Sequence, residues 1–239
     1  MKLLGLGPLE LAAVAWFAAC WVGYTFFSEW KGHRSASLIS RMDHYRRAWM
    51  MRAVERDNRM VDAAIVQNLF QGNNFLASTS ILILGGLAAL MGASTQAVSV
   101  VSSLPLTQAT SERGFEVKIM LMIVIFVYAF FKFTWAMRQF NFLSLMIGTA
   151  PSANDGPQEV ASFVDRASTI ASLAGENSNR GLRAFYFAMA AMSWFLHSIL
   201  FMAASALVVG ILYHREFRSR TLIALMENAG GTAGAGVKP

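Results

Sequence analysis

The chain holds one cysteine, Cys20, and only 14% of its 239 residues are charged. A lone thiol excludes an intramolecular disulfide and a thiolate metal cluster. So little charge argues against an ordinary soluble domain, in which about 25% of residues are charged. No phosphate-binding loop, HExxH zinc helix, CxxC pair or nucleophile elbow is present. The glycines of GTAGAG (231–236) have no strand before them and no helix after them, so the match is one of composition alone. No internal repeat supports an inverted-repeat transporter.

Apolar surface is what the chain has in quantity. Hydrophobic residues make up 55% of it and the mean hydropathy is +0.45, the composition of a multi-pass membrane protein. Crossing the hydrocarbon takes about 20 helical residues. Four stretches are long enough, at about 8–27, 75–92, 117–135 and 185–213. In lipid each must be helical, because an isolated strand leaves backbone groups unpaired. The expected fold is therefore all-α, an integral membrane four-helix bundle forming one domain over 1–228, with a flexible Gly/Ala-rich tail at 229–239. Glu10 interrupts the first stretch and WVGYTFF continues it past Cys20, so it reads as a retained helix rather than a cleaved signal.

Charge sets the expected orientation. Eight Lys or Arg lie between 28 and 70, whereas 93–115 has only Arg113. The positive-inside rule puts 28–70 and 139–184 in the cytoplasm and both termini outside, in a cytoplasmic (inner) membrane. Arg215, Arg218 and Arg220, after the fourth stretch, fit that assignment poorly. The net charge of +6 lies beside apolar segments, so the bilayer and its anionic headgroups are the expected partners, not nucleic acid. Arg138, Arg183, Arg46, Arg47 and Trp49 are the candidate interface anchors.

The basic connections carry helical patterns of their own. Leu38, Met42, Tyr45 and Trp49 recur at helical spacing with arginines on other faces, which predicts an interfacial amphipathic helix. Val61, Ile65 and Leu69 form a second periodic segment leading into the second span. After PSANDGP, Pro157 suits the first position of a helix bearing Val160, Phe163, Ala167, Ile170 and Ala174, with Gly175 as its stop.

Within the third span, Lys132 is the residue to explain. Tyr128, Trp135, Gln139 and Lys118 fall within about 60° of it around the helix, a polar stripe, while Phe126, Phe133 and Phe140 form an aromatic flank. The favoured reading has Lys132 reaching outward to lipid headgroups. The alternative turns it sideways to a polar cluster of Glu29, Asn74 and Ser78. Asn and Ser also serve as hydrogen-bonding glue between spans. His197 lies near the middle of the fourth stretch, where it reads as a neutral histidine bonded to a neighbouring helix. Haem would need a second intramembrane histidine, and His33, His44 and His214 fall at or beyond the interfaces, so no cofactor or metal is expected. Small-residue stripes at Ala15, Ala19 and Gly23, at Gly85 and Ala89, and at Ala206 and Gly210 suit close helix packing within or between subunits.

NNFLASTSILILGGLAAL (73–90), YAFFKFTWAMRQFNF (128–142) and NRGLRAFYFAMA (179–190) resemble an uncharacterised membrane family, domain of unknown function 599, over about 8–220. The resemblance implies a multi-pass membrane domain, transfers no activity, and marks the segments of Asn74, Lys132, Arg138, Gln139 and Arg183 for attention. The functional expectation is a non-enzymatic structural or accessory membrane protein, a homo-oligomer or part of a larger complex. The alternatives are a channel or transporter using the polar layer around Lys132, and a membrane redox protein or enzyme.

Overall fold

The computed structural model describes residues 6–32, 37–103, 111–152 and 154–230. The expected tail at 229–239 falls almost entirely outside them. The helices are α1 (Pro8–Gly32), α2 (Leu38–Glu55), α3 (Met60–Gly92), α4 (Ser94–Ser102), α5 (Glu112–Gly148), α6 (Pro157–Met192), α7 (Ser198–Phe217) and α8 (Arg220–Gly230). No strand forms among the described residues. Their starts are chemically marked. Ser37 and Ser40 form a reciprocal capping box on α2, each backbone N–H donating to the other's hydroxyl at 3.1 Å. Ser111 accepts from Gly114 N at 3.2 Å to start α5, and Pro157 occupies the first turn of α6.

Four helices are long and apolar enough to cross a membrane: Pro8–Ser28, Met60–Gly92, Glu112–Gly148 and Ser198–Met226. The all-α membrane-type fold and the first three expected spans agree with this. The fourth expected span does not survive as one helix. A continuous helix would hold Tyr186 and Arg215, 29 residues apart in sequence, about 43 Å from each other. Instead Arg215 Nη1 donates to the Tyr186 hydroxyl at 2.5 Å. The chain leaves the helix at Met192, makes a 3-10 turn over Ser193–Phe195, and starts α7 at Ser198 running back alongside α6. His197 is extended (φ −154°, ψ 139°) and its Nδ1 accepts from Ile199 N at 3.1 Å, so it caps a corner instead of sitting mid-helix.

That corner changes the topology. Glu10, near the start of α1, lies 3.5 Å from Lys118 of α5, while α8 packs on α2 beyond the other end of α1. Ile39 N also donates to Glu216 of α7 at 3.2 Å. The start of α1 and α8 therefore lie at opposite ends of the bundle, not together as expected. The arginines after α7 join those of α2 at a single end.

Helices α5 and α6 have 37 and 36 residues, about 55 Å each, well beyond the roughly 30 Å of a hydrocarbon layer. They run antiparallel through two successive cores. The first is aromatic: Phe17 meets Phe187 edge-on at 5.8 Å and Phe201 at 5.0 Å, and Trp194 stacks on Phe201 at 5.1 Å. The second joins Met50 and Val54 of α2, Val66 of α3, Phe140 and Leu143 of α5, and Phe163 of α6.

Two expectations need correction here. Gly175 does not stop α6, which runs through it to Met192. The Arg46 guanidinium of α2 fills the space that a side chain at that position would take. On α3, Val61, Ile65 and Leu69 are exposed, while Asp62, Val66 and Asn73 face inward. Fully buried Asp62 accepts from Trp49 Nε1 at 2.7 Å and from Arg56 at 2.5 Å, which fixes that face.

Candidate functional site

Where the two cores meet, α6 carries the polar run GENSNRGLR (175–183), and Asn177 in it bonds to Lys132 and Gln139 of α5. The inward face of α6 steps through Ala167, Ala171 and Ala174, and the next inward positions are Asn177 and Gly181. Gly181 has a reason to be glycine, since a Cβ there would lie 2.5 Å from the Phe133 ring. This close approach of α5 and α6 brings Asn177 into reach of both Lys132 and Gln139. Asn177 Nδ2 donates to Gln139 Oε1 at 3.0 Å and to Leu173 O at 2.9 Å, and Lys132 Nζ donates to Asn177 Oδ1 at 3.4 Å. The ammonium also lies 5.5 Å from the Tyr128 ring centroid.

Lys132 thus turns sideways, though not to the residues expected. Asn74 and Ser78 are exposed on the far side of α3, one position off the inward register kept by Asn73, Ala77 and Ser80. The Glu29 side chain falls outside the described residues. Gln139 is buried, as its place on the stripe suggests, whereas Trp135 is half exposed. Phe126, Phe133 and Phe140 are buried against neighbouring helices and do not face lipid.

Beside this contact, Tyr24 and Ser28 of α1, Arg183 and Tyr186 of α6, and Arg215 and Glu216 of α7 line a cavity of about 30 Å³. That volume admits one or two water molecules. Arg183 is only 7% exposed and its Nη1 has no hydrogen-bond partner among the described residues. A guanidinium so placed is tolerable because the Glu216 carboxylate and the cavity lie beside it. Arg183 is an internal charge, not the interface anchor expected.

The other expected anchors divide. Arg138 is exposed and lies 5.6 Å from the Phe142 ring. Arg46 bonds to Asp43 at 2.8 Å, Arg47 pairs with Asp165 of α6, and Trp49 bonds to Asp62. Arg47 and Trp49 thus tie α2 to α6 and α3, the first through an exposed pair, while the bond of Arg46 stays within α2. His197, at the corner, joins neither polar group.

A second polar pair sits at the opposite end of the bundle. Lys118, 2% exposed, meets Glu10 at 3.5 Å and lies 5.4 Å from the Trp194 ring. Glu10 also accepts from Gly7 N at 2.9 Å. Among the described residues no group of three or more His, Cys, Asp or Glu could hold a metal ion.

Sequence reasoning found Lys132, Tyr128 and Gln139 but missed Asn177, Asn73 and Glu216, and it misplaced Arg183. The signal for Asn177 was present, since the Ala167–Ala171–Ala174 spacing extends onto it once Gly175 is read as part of the helix. No curated protein and no solved structure matches the chain. A family model does match, over residues 12–221, and the chain belongs to that family, described as Protein of unknown function, DUF599.

Proposed function

We propose that the protein is a non-enzymatic accessory protein of the cytoplasmic membrane that works as a homo-oligomer joined through the outer face of α3. One observation carries this reading. Gln67, Gln71, Asn74 and Ser78 are exposed at alternating steps of four and three, and Gly85 and Ala89 continue the same line. All six fall within about 40° of one another's mean direction around the helix. Carboxamides turned to lipid tails find no hydrogen-bond partner there. A second α3 supplies one, because each amide both donates and accepts, and the small residues allow the two backbones to approach. The face is open in the single chain, where α3 packs chiefly on α5.

The interior supports an accessory role over a channel. Between Lys118 and Lys132, the inward side of α5 is Met122, Ile125, Phe126 and Ala129, all apolar and at most 5% exposed. Orientation follows from charge: the end that gathers Lys31, the α2 arginines and Arg215 is cytoplasmic, so α8 lies inside and the start of α1 outside.

The test is the particle mass of the protein in a mild detergent. A dimer or higher multiple is expected, with the Gln71→Leu/Asn74→Leu pair weakening association about eightfold, from two interhelical contacts at about 0.6 kcal/mol each. A monomer, or a complex with a different protein holding one copy of this chain, would overturn the reading.

A further inference from the structure

On the side of α3 opposite the exposed stripe, an apolar groove of about 430 Å³ lies between α2, α3, α5 and α6. We propose that this groove binds one anionic phospholipid of the cytoplasmic leaflet, its acyl chain against α3 and α5 and its phosphate on Arg46. The proposal is independent of the α3 interface, because Ile65 and Leu69, which line the groove, point about 160° away from Gln67 around the helix.

Four observations converge on this occupant. The volume lies within the roughly 300–1,000 Å³ of small-molecule sites, and the lining is apolar with a few polar groups, which suits an amphiphile. The groove lies against the second core, which supplies Trp49, Phe140 and Ala171 of its lining. Its walls include Met42, Tyr45, Ile65 and Leu69, each between 37% and 42% exposed, so apolar surface on both sides is left open. Arg46 supplies the charge. Its side chain is 18% exposed, held by Asp43 through Nη1 alone, and fitted against the space that Gly175 leaves open. A fixed, partly dehydrated guanidinium at the rim of an apolar groove is complementary to a phosphate with a hydrocarbon chain attached.

The test is native mass spectrometry of the full chain, released from detergent with added phosphatidylglycerol, phosphatidylcholine or inorganic phosphate. One phosphatidylglycerol per chain is expected to be retained, with phosphatidylcholine held at least about fivefold more weakly and no retention of inorganic phosphate. Arg46→Gln should lower phosphatidylglycerol retention about fivefold, and Arg138→Gln should not. Because Arg46 also packs over Gly175 of α6, Ile65→Trp is the second variant: it fills the groove from a partly exposed position and should displace the lipid without unfolding the chain. Equal retention of both lipids overturns the proposal. So does phosphatidylglycerol retention unchanged in both Arg46→Gln and Ile65→Trp, and so does competition by inorganic phosphate, which would make the site one for a soluble anion.

Discussion

Arg215 Nη1 donates a hydrogen bond of 2.5 Å to the Tyr186 hydroxyl, and the guanidinium carbon lies 5.5 Å from the same ring. The contact is a consequence of α7 running back along α6, which puts the start of α1 and α8 at opposite ends of the bundle. This course of α7 also removes the conflict that Arg215, Arg218 and Arg220 pose for a four-span reading, since α8 then ends among the arginines of α2.

The topology is the first prediction. Reporter fusions or impermeant thiol labels placed before α1 and after α8 should report opposite sides of the membrane, with the position after α8 cytoplasmic. Both positions reporting the same side would mean that α6 and α7 form one span, contrary to the corner at Ser193–His197.

The buried pair at the other end makes the second prediction. Glu10→Gln removes the carboxylate from Lys118, an ammonium that is 2% exposed, and should lower the stability of the detergent-solubilised protein by about 3 kcal/mol. The double replacement Glu10→Leu/Lys118→Met should recover most of that loss, because no charge is then left buried. Thermal unfolding midpoints of the three proteins read this directly; equal midpoints for the single variant and the parent would show that the pair is not coupled.

Asn177 makes the third. Asn177→Leu strands the buried Gln139 carboxamide and removes one contact of Lys132, and a loss of about 2 kcal/mol is expected, chiefly from the unsatisfied carboxamide. Lys132→Met should cost less, since Asn177 keeps its bonds to Gln139 and Leu173. A double-mutant cycle between positions 132 and 177 should show coupling of about 0.6 kcal/mol. Additivity would place Lys132 in the headgroup region, as the sequence reading favoured.

These contacts show where the sequence is informative. Span length and hydropathy are sums over many residues, so the apolar parts of α1, α3 and α5 are legible, although α3 starts 15 residues before the expected span and α5 ends 13 residues after it. The α6–α7 corner is not, because it contains neither Gly nor Pro: Ser193 turns its hydroxyl to Ala190 O at 2.6 Å, and His197 serves as a cap, roles that leave no pattern in an apolar run. Faces are harder still. Asn73 and Asn74 are adjacent and chemically identical, yet one is buried and the other exposed. The difference is 100° of helix rotation, set by α5 packing against Val66, Ala77 and Leu87. The same ambiguity hid the α3 stripe, whose polar and small residues were visible but not the direction they face.

A cysteine scan of α3 tests the central claim most directly. In a Cys20→Ala background, single cysteines placed one at a time from 67 to 89 are oxidised in native membranes and the cross-linked products are sized. Disulfide-linked dimers are predicted to peak at 71, 74, 78 and 85 and to fall away at 66, 73, 77 and 80, the period of a helix whose outer face meets a second copy of itself. Cross-linking that is absent throughout, or that shows no helical period, would contradict the account.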